Sequence, residues 1–405
     1  MYSLLALSKL ALLLLSCLNA SIASPTAPLN RSAESRLTKR QDPPTGCSEF
    51  DFAGWTKEWA EKTMENWDPS CSRACWNDVD WQNHVGFETM LDYIWQSGLK
   101  DTEVERLVLA SAPRPDLIGM SGDSHDDALW GALMLMKMGD YLAEVHGDAD
   151  AREEHYQTGI DVINWVAESR HNDPCAPGVF WTHDERYKNT VTNAQWMHAN
   201  LRVHVKTGEE KYLTDAFDVL NNFMDHYDTL KNAEGLYADG LNDECTSTGH
   251  PQTWTYNQGV MLSTFGLLYK ATGEQQYFDR GNELINAVRT SSSANGVLVE
   301  VMCDEEGTCN FDQEGFKGIF SKHMQYFYDF VGPDAHSSLV DANGSPHSDW
   351  IGQNARGVRD NAQREDGHLG RAWFSGDVPQ NYTPWTLISG LSAGIAAAKY
   401  GTCTQ

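Results

Sequence analysis

Groups able to do chemistry are densest in Ser121-Gly-Asp-Ser-His-Asp-Asp-Ala-Leu-Trp130. Two aspartates, Asp126 and Asp127, stand side by side there and open a helix. One acid at a helix N-terminus is an ordinary choice, because it caps orphan N–H groups and meets the positive end of the dipole. A pair is different. Two carboxyl groups this close do not ionise easily together, so their pKa values are pushed apart. One can keep a proton to donate while the other attacks, and the two titrate as a unit. Gly122, Asp123 and His125 precede the pair and Trp130 follows it, so hydrogen-bonding and ring-stacking groups crowd one helix end.

Five more segments mix aromatic rings with polar groups. They are Phe180-Trp181, Tyr187-Lys188-Asn189 with Asn193, Tyr237-Ala-Asp239-Gly240, Trp254-Thr-Tyr256-Asn257-Gln-Gly259 and Gly315-Phe316-Lys317-Gly318. A single Trp is equally well explained by core packing, and an isolated Asp-Gly by a turn. The coincidence of five such loops, several just ahead of an apolar helix, points further. Trp and Tyr offer flat faces to sugar rings; Asn, Asp and Lys offer partners to hydroxyls.

The elements that must position these groups read as helices. Trp55, Trp59, Met64 and Trp67 share one face, and Val85, Met90, Leu91, Ile94 and Trp95 another, which stops at Gly98. Leu129 to Val145 stops at Gly147, and similar stretches run over 193–206, 213–227, 258–270 and 277–289. The run Gly259-Val-Met-Leu-Ser-Thr-Phe-Gly-Leu-Leu-Tyr269 is apolar almost all round and belongs to an inner layer. Lys206-Thr-Gly-Glu-Glu-Lys-Tyr-Leu213 echoes Lys270-Ala-Thr-Gly-Glu-Gln-Gln-Tyr-Phe278: a buried helix ends at Thr-Gly and a more polar one follows. The stop glycines Gly98, Gly147, Gly208 and Gly273 lie 49, 61 and 65 residues apart. Units of about sixty residues, each an inner and an outer helix, divide the chain into about six. The expected fold is all-α, an (α/α)6 barrel of six helical hairpins. An open solenoid competes with it but needs polar end caps that the sequence does not display.

Composition bounds the rest. The 405 residues carry 30 Lys and Arg against 57 Asp and Glu, a formal net charge of −27. No basic stripe is present to neutralise phosphates, so nucleic acid is excluded as a partner, and an anionic membrane surface would repel the chain. Lys9 lies ahead of the short apolar run 10–15, and small residues follow at 20–24, so residues 1–23 read as a signal peptide. Residues 24–40 end at Lys39-Arg40 and read as a propeptide, with 41–405 as one catalytic domain. Eight of the nine Cys lie beyond the signal peptide, an even number that suits disulfides in an exported chain. Cys303 to Cys309 reads as a small closed loop turning at Gly307, while Cys71 and Cys75 pair together or separately elsewhere. The Cys are too scattered for a zinc site, and no metal or cofactor is expected. Asn343-Gly-Ser345 and Asn381-Tyr-Thr383 are glycosylation acceptors. The apolar run after Ile388 is short and ends in a polar tail, which fits a last barrel helix better than a membrane anchor. The expectation is a secreted monomer.

From about Trp81-Gln82 through Phe330 the chain resembles glycoside hydrolase family 76, α-1,6-mannanases with an (α/α)6 barrel. The resemblance is carried by Asp126-Asp127-Ala-Leu-Trp130, Cys175 through Trp181, Lys188-Asn189 with Asn193, Asp239-Gly240, Tyr256-Asn257-Gln258-Gly259 and Phe316-Lys317-Gly318. Cys175-Ala-Pro-Gly178 is poorer in glycine than the family's pattern. The resemblance implies an endo-acting hydrolase of mannan or mannose-containing oligosaccharides, with Asp126 as nucleophile and Asp127 as general acid/base. Trp130, Trp181, Asn189, Asn193, Asp239, Tyr256, Asn257 and Lys317 are the expected substrate-binding residues. Neighbouring residues have Cα atoms only about 3.8 Å apart, so their carboxyl groups suit the close spacing of a retaining enzyme. A cell-wall transglycosylase of the same family and a non-catalytic mannan-binding protein are the alternatives. The intact aspartate pair argues against the last.

Overall fold

A helix that is apolar all round needs neighbours on every side, and the chain supplies them by alternating outer and inner helices. The structure, a computed structural model, describes residues 50–70, 76–112, 116–170 and 173–402. All of them fall in one compact unit, 45–405. Residues 1–40, expected to be signal peptide and propeptide, and Cys47, Cys71, Cys75 and Cys403, lie outside the described residues.

Outer α1 (Phe52–Glu65) leads to inner α2 (Asp80–Ser97) and outer α3 (Glu103–Ser111). A single turn, α4 (Leu117–Met120), precedes inner α5 (His125–Tyr141) and outer α6 (Ala149–Ala167). Inner α7 (Thr190–Thr207), outer α8 (Glu210–Val219), inner α9 (Thr255–Thr272) and outer α10 (Gln275–Ser291) follow. Inner α11 (Phe316–Val331), outer α12 (His347–Gly357) and inner α13 (Pro384–Tyr400) complete the chain. The inner helices pack in sequence, α2 on α5, α5 on α7, α7 on α9, α9 on α11 and α11 on α13, and α13 packs back on α2. That last contact closes the ring and removes the open solenoid. The fold is the expected (α/α)6 barrel, with the apolar run after Ile388 inside its last inner helix.

Burial separates the two layers. Every residue of α7 from Thr190 to His204 is buried, as is α9 from Asn257 to Leu268. Outer α6 buries only His155, Tyr156, Gly159, Val162, Ile163 and Val166. Outer α10 repeats that spacing with Tyr277, Phe278, Gly281, Leu284, Ile285 and Val288. Such a stripe is what one apolar face of a helix presents to a single layer. Gly98, Gly147, Gly208 and Gly273 end their inner segments with φ between 65° and 74°, the left-handed cap that favours glycine. Regular strands are few among the described residues. β1 (Lys188–Asn189) pairs antiparallel with β2 (Gly240–Leu241), and β3 (Ser293–Ala294) with β4 (Val297–Leu298).

The ring is plugged along its axis by polar contacts between inner helices, some of them not neighbours. Lys322 on α11 donates to Glu88 on α2 at 3.0 Å, and the Tyr326 hydroxyl donates to Asp92 at 2.5 Å. Lys137 on α5 pairs with Asp92 and lies 4.0 Å over the Tyr326 ring. The Ser263 hydroxyl sits between His198 and His323. Among the described residues two disulfides staple the loops, Cys175–Cys245 and the expected small loop Cys303–Cys309.

Close approach of inner helices is set by small residues. A Cβ at Gly259 on α9 would meet the Phe320 Cα of α11 at 2.7 Å. Replacing Gly259 by Ala should therefore lower Tm despite Ala's better helix propensity, by about 1–3 kcal/mol of overpacking. Thermal denaturation followed by circular dichroism checks this, and an unchanged Tm would contradict it.

Candidate active site

The inner helices all begin at one end of the ring, and the loops ahead of them build its mouth. Asp126 and Asp127 lie in the first turn of α5, where unpaired backbone N–H groups favour negative charge. Asp126 Oδ1 accepts from the Ser124 hydroxyl at 2.7 Å, the Asp127 N–H at 3.0 Å and the Trp181 indole Nε1 at 3.1 Å. The Trp181 loop is laced to the helix start. His125 N–H donates to Trp181 O at 2.9 Å, Trp181 N–H donates to Tyr187 O at 2.8 Å, and Ser124 bridges Thr182.

Both carboxyls are part-buried at the lip of this mouth. Burial pushes Asp126 up to about 6, held back by its three donors. Burial pushes Asp127 further, to about 8, with the charges of Asp126 and then Asp312 adding to the rise. Near neutral pH the pair is therefore split: Asp126 is the carboxylate and Asp127 the acid.

Asp239 forms a second station. The β1–β2 pair brings it beside the Trp181 loop, and Thr190 N–H donates to Asp239 O at 2.7 Å. Gly240 is required at that contact, since a Cβ would lie 2.6 Å from Lys188 O. The Tyr187 hydroxyl donates to Asp239 Oδ2 at 2.8 Å and Asn257 Nδ2 donates to Oδ1 at 3.2 Å. Burial raises the Asp239 pKa, and these two bonds oppose the rise. The Tyr187 ring meets Trp181 edge-on at 6.3 Å. Asp126, Trp181, Tyr187, Asp239 and Asn257 are thus one connected chain. Tyr256, in the first turn of α9, stacks flat on Phe316 at 3.9 Å. Burial, then the charges of Asp239 and Asp126, raise its pKa well above the usual value, so it is a neutral hydroxyl.

A fourth acid, Asp312, stands ahead of α11 and is not among the residues expected from sequence. Its Oδ1 accepts from Gln82 Nε2 at 2.9 Å and its carbonyl from Trp385 Nε1 at 3.1 Å. The available signal was its place just before an inner helix, four residues ahead of Phe316.

The expected substrate-binding residues divide into two groups. Trp181, Asp239 and Tyr256 are part-exposed at the mouth. Trp130, Asn189, Asn193, Asn257 and Lys317 are buried, and each makes contacts within the protein. Trp130 packs its ring on Trp81 at 6.1 Å. Asn189 caps α7, accepting from Thr192 N–H at 3.1 Å. Asn193 clamps the backbone of Val179 in both directions, and Asn257 holds Asp239. Lys317 is 0% exposed and pairs at 2.6 Å with Asp304, which also holds Arg371. Buried polar groups need such partners, and Asn189, Asn193 and Lys317 spend their hydrogen bonds beneath the mouth, while Asn257 Oδ1 has no partner among the described residues. Among the described residues no group of three or more His, Cys, Asp or Glu could hold a metal ion. Among them, too, no helix is long and apolar enough to cross a membrane.

A helical barrel with a carboxylate pair at one inner-helix start is the build of a glycoside hydrolase. The model of glycosyl hydrolase family 76 matches residues 53–399, and the chain belongs to that family. It is 28% identical over 349 residues to mannan endo-1,6-alpha-mannosidase DCW1 of Candida glabrata, covering 80% of this chain and 72% of that one. The Saccharomyces cerevisiae DCW1 protein of the same name is 30% identical over 248 residues, covering 59% of this chain and 51% of its own length. The fold also matches an alpha-1,6-mannanase, GH76A of Salegentibacter sp. HEL1_6, with a TM-score of 0.69 at 18% identity, over 86% of this chain and 99% of that one. That structure is of an inactive variant, with Asn in place of two adjacent Asp, in complex with alpha-1,6-mannotriose.

The split pair generates a pH prediction. kcat/KM should be bell-shaped, rising near pH 6 as one proton leaves the pair and falling near pH 8 as the second does. Stability should run the other way. A raised folded pKa favours the protonated native state, so this contribution is present at low pH and is lost as pH rises from the ordinary 3.8 through about 8. Asp127→Asn removes that loss, so its Tm relative to wild type should be higher at pH 8 than at pH 5. A Tm difference independent of pH would contradict the assignment.

Proposed function

We propose that the protein is a secreted, endo-acting glycoside hydrolase that cleaves α-1,6-mannosidic bonds of a mannan backbone by double displacement. The observation that carries this reading is the asymmetry of the pair: three donors converge on Asp126 Oδ1, while burial and the neighbouring charge push Asp127 up beside it. The names of the family's relatives support the substrate. Asp127 gives its proton to the glycosidic oxygen as the C1–O bond breaks, while an Asp126 oxygen attacks C1. The leaving chain departs as an alcohol and the mannosyl group is held as an ester on Asp126. Asp127, now a carboxylate, takes a proton from water as that water attacks C1 and frees Asp126. Adjacent residues on one turn suit the close carboxyl spacing of a retaining site, so the product keeps the α configuration. A sugar hydroxyl can replace water in the second step, which makes transfer the companion reaction.

Asp126→Asn should abolish turnover with the fold intact. Asp127→Asn should be nearly as severe on mannan but milder on a substrate with a good leaving group. Proton NMR of the first-formed anomer on linear α-1,6-mannan tests the mechanism. If the β anomer appears before mutarotation, the two Asp do not work as a retaining pair. Product analysis with and without an added mannose acceptor separates hydrolysis from transfer.

Asp239 and Tyr187 are proposed to grip the sugar beside the reacting bond. Asp239→Ala should lose charge-assisted hydrogen bonds to hydroxyls, typically about 1.5–3 kcal/mol, or roughly ten- to a hundredfold in kcat/KM. An unchanged kcat/KM would remove Asp239 from the site.

A further inference from the structure

The contacts of Asp312 do not account for its charge. Its Oδ1 accepts one hydrogen bond from Gln82, its carbonyl accepts one from Trp385, and Oδ2 accepts none among the described residues. Asparagine would make every one of these contacts. Burial disfavours the ionised form at this position, so a carboxylate here works against the fold. The chain nevertheless holds it firmly. The disulfide Cys303–Cys309 closes the loop just before it. Asn310 and Gln313 exchange bonds between side chain and backbone on either side of it, at 2.9 and 3.0 Å. The fully buried Lys317–Asp304–Arg371 cluster ties the loop to the start of α11.

Its place in the ring gives the charge a target. Counting round the inner helices, α11 lies three steps from α5 in either direction, so Asp312 stands on the wall of the mouth opposite the aspartate pair. Gln82 reaches it from the first turn of α2, and the Trp81 ring bridges Trp130 of α5 and Trp385 of α13 on that side. The titratable groups facing the mouth are Asp126 and Asp127 from α5, Tyr187 ahead of α7, Asp239 ahead of β2, His250 over the Tyr187 ring, and Tyr256 at the start of α9. His250 acts on Asp239, and among the described residues no Lys or Arg pairs with Asp312.

We propose that Asp312 is a positioning residue for the reaction: fixed across the mouth by Gln82 and Trp385, its negative charge disfavours ionisation of Asp127 and keeps the acid armed at neutral pH. The proposal rests on the mannosidase reading for its consequence in catalysis, but not for the electrostatics themselves. The Asp126 charge acts in the same direction, but it is consumed when Asp126 bonds to the sugar, and in the second step Asp127 must take a proton from water without it. A fixed charge outside the reacting pair persists through both steps.

Two readouts test it. Carboxyl carbon-13 NMR of the full chain, with the Asp127 signal identified by its loss in Asp127→Asn, gives the titration directly. The pH profile of kcat/KM on linear α-1,6-mannan gives its effect on turnover. In Asp312→Asn the Asp127 titration and the alkaline limb should both move to lower pH, by about half a unit for two charges facing each other across a wet mouth. Asp312→Glu, which keeps the charge, should leave both nearly where they are. If Asp312→Asn fails to fold, Asp312→Ser removes the charge a second way and should move the titration in the same direction. An Asp127 titration that stays in place in the charge-free variants overturns the proposal, even if the rate falls. A titration that moves in a protein inactive on mannan upholds the electrostatics and counts against the substrate reading instead.

Discussion

Two carboxyl groups on one turn of helix, in a mouth that is half closed to water, cannot both carry charge comfortably. Most of the site answers the question of which one does. Three donors converge on Asp126 and lower the free energy of its ionised form. They come from three different places: the residue that precedes α5, the helix backbone, and an indole on the loop ahead of α7. The loop can deliver that indole only because it is tied to the helix start and to Tyr187. Removing any one tie would loosen the asymmetry rather than a single contact.

Ring closure is what gathers these parts. Each inner helix begins at the same end, so each contributes one turn of unpaired N–H groups and one loop to a shared mouth. Polar pairs that cross the axis, such as Lys322 with Glu88, keep the lumen filled below it. The outer helices need to bury only one stripe, which is why α6 and α10 repeat the same spacing of buried positions. Precision at the mouth is therefore borrowed from the barrel, and loops that would otherwise move are held at both ends.

The sequence made the inner layer readable where burial leaves a continuous apolar run, as in α9, and where glycine ends a helix, as at Gly208 and Gly273. It made the outer layer less readable. α3 and α12 were not singled out because a one-sided stripe on a polar helix leaves few apolar residues to count. The candidate site was legible in its aspartate pair and in its place at the inner-helix starts, and less so in the direction of its other side chains. Successive residues on a helix point about 100° apart. Tyr256 reaches the mouth while its neighbour Asn257 turns beneath it to hold Asp239. Lys317, one step past Phe316, turns away to Asp304. Residue type near an inner-helix start does not say which way the side chain points. Asp312 escaped notice for the related reason that one acid in a polar loop carries no pattern of its own.

The sign of the mouth fits the chemistry proposed for it. Asp126, Asp127, Asp239 and Asp312 all line it, while the nearby cations Lys317 and Arg371 are committed to Asp304. A neutral sugar gains little from such a field in its ground state. As the glycosidic bond breaks, positive charge grows on the ring, and fixed negative groups around it then stabilise the transition state more than the substrate. That difference is what accelerates a reaction. The acids that burden the folded protein by resisting burial are thus of the sign the reaction calls for, and the barrel's buried core carries the burden.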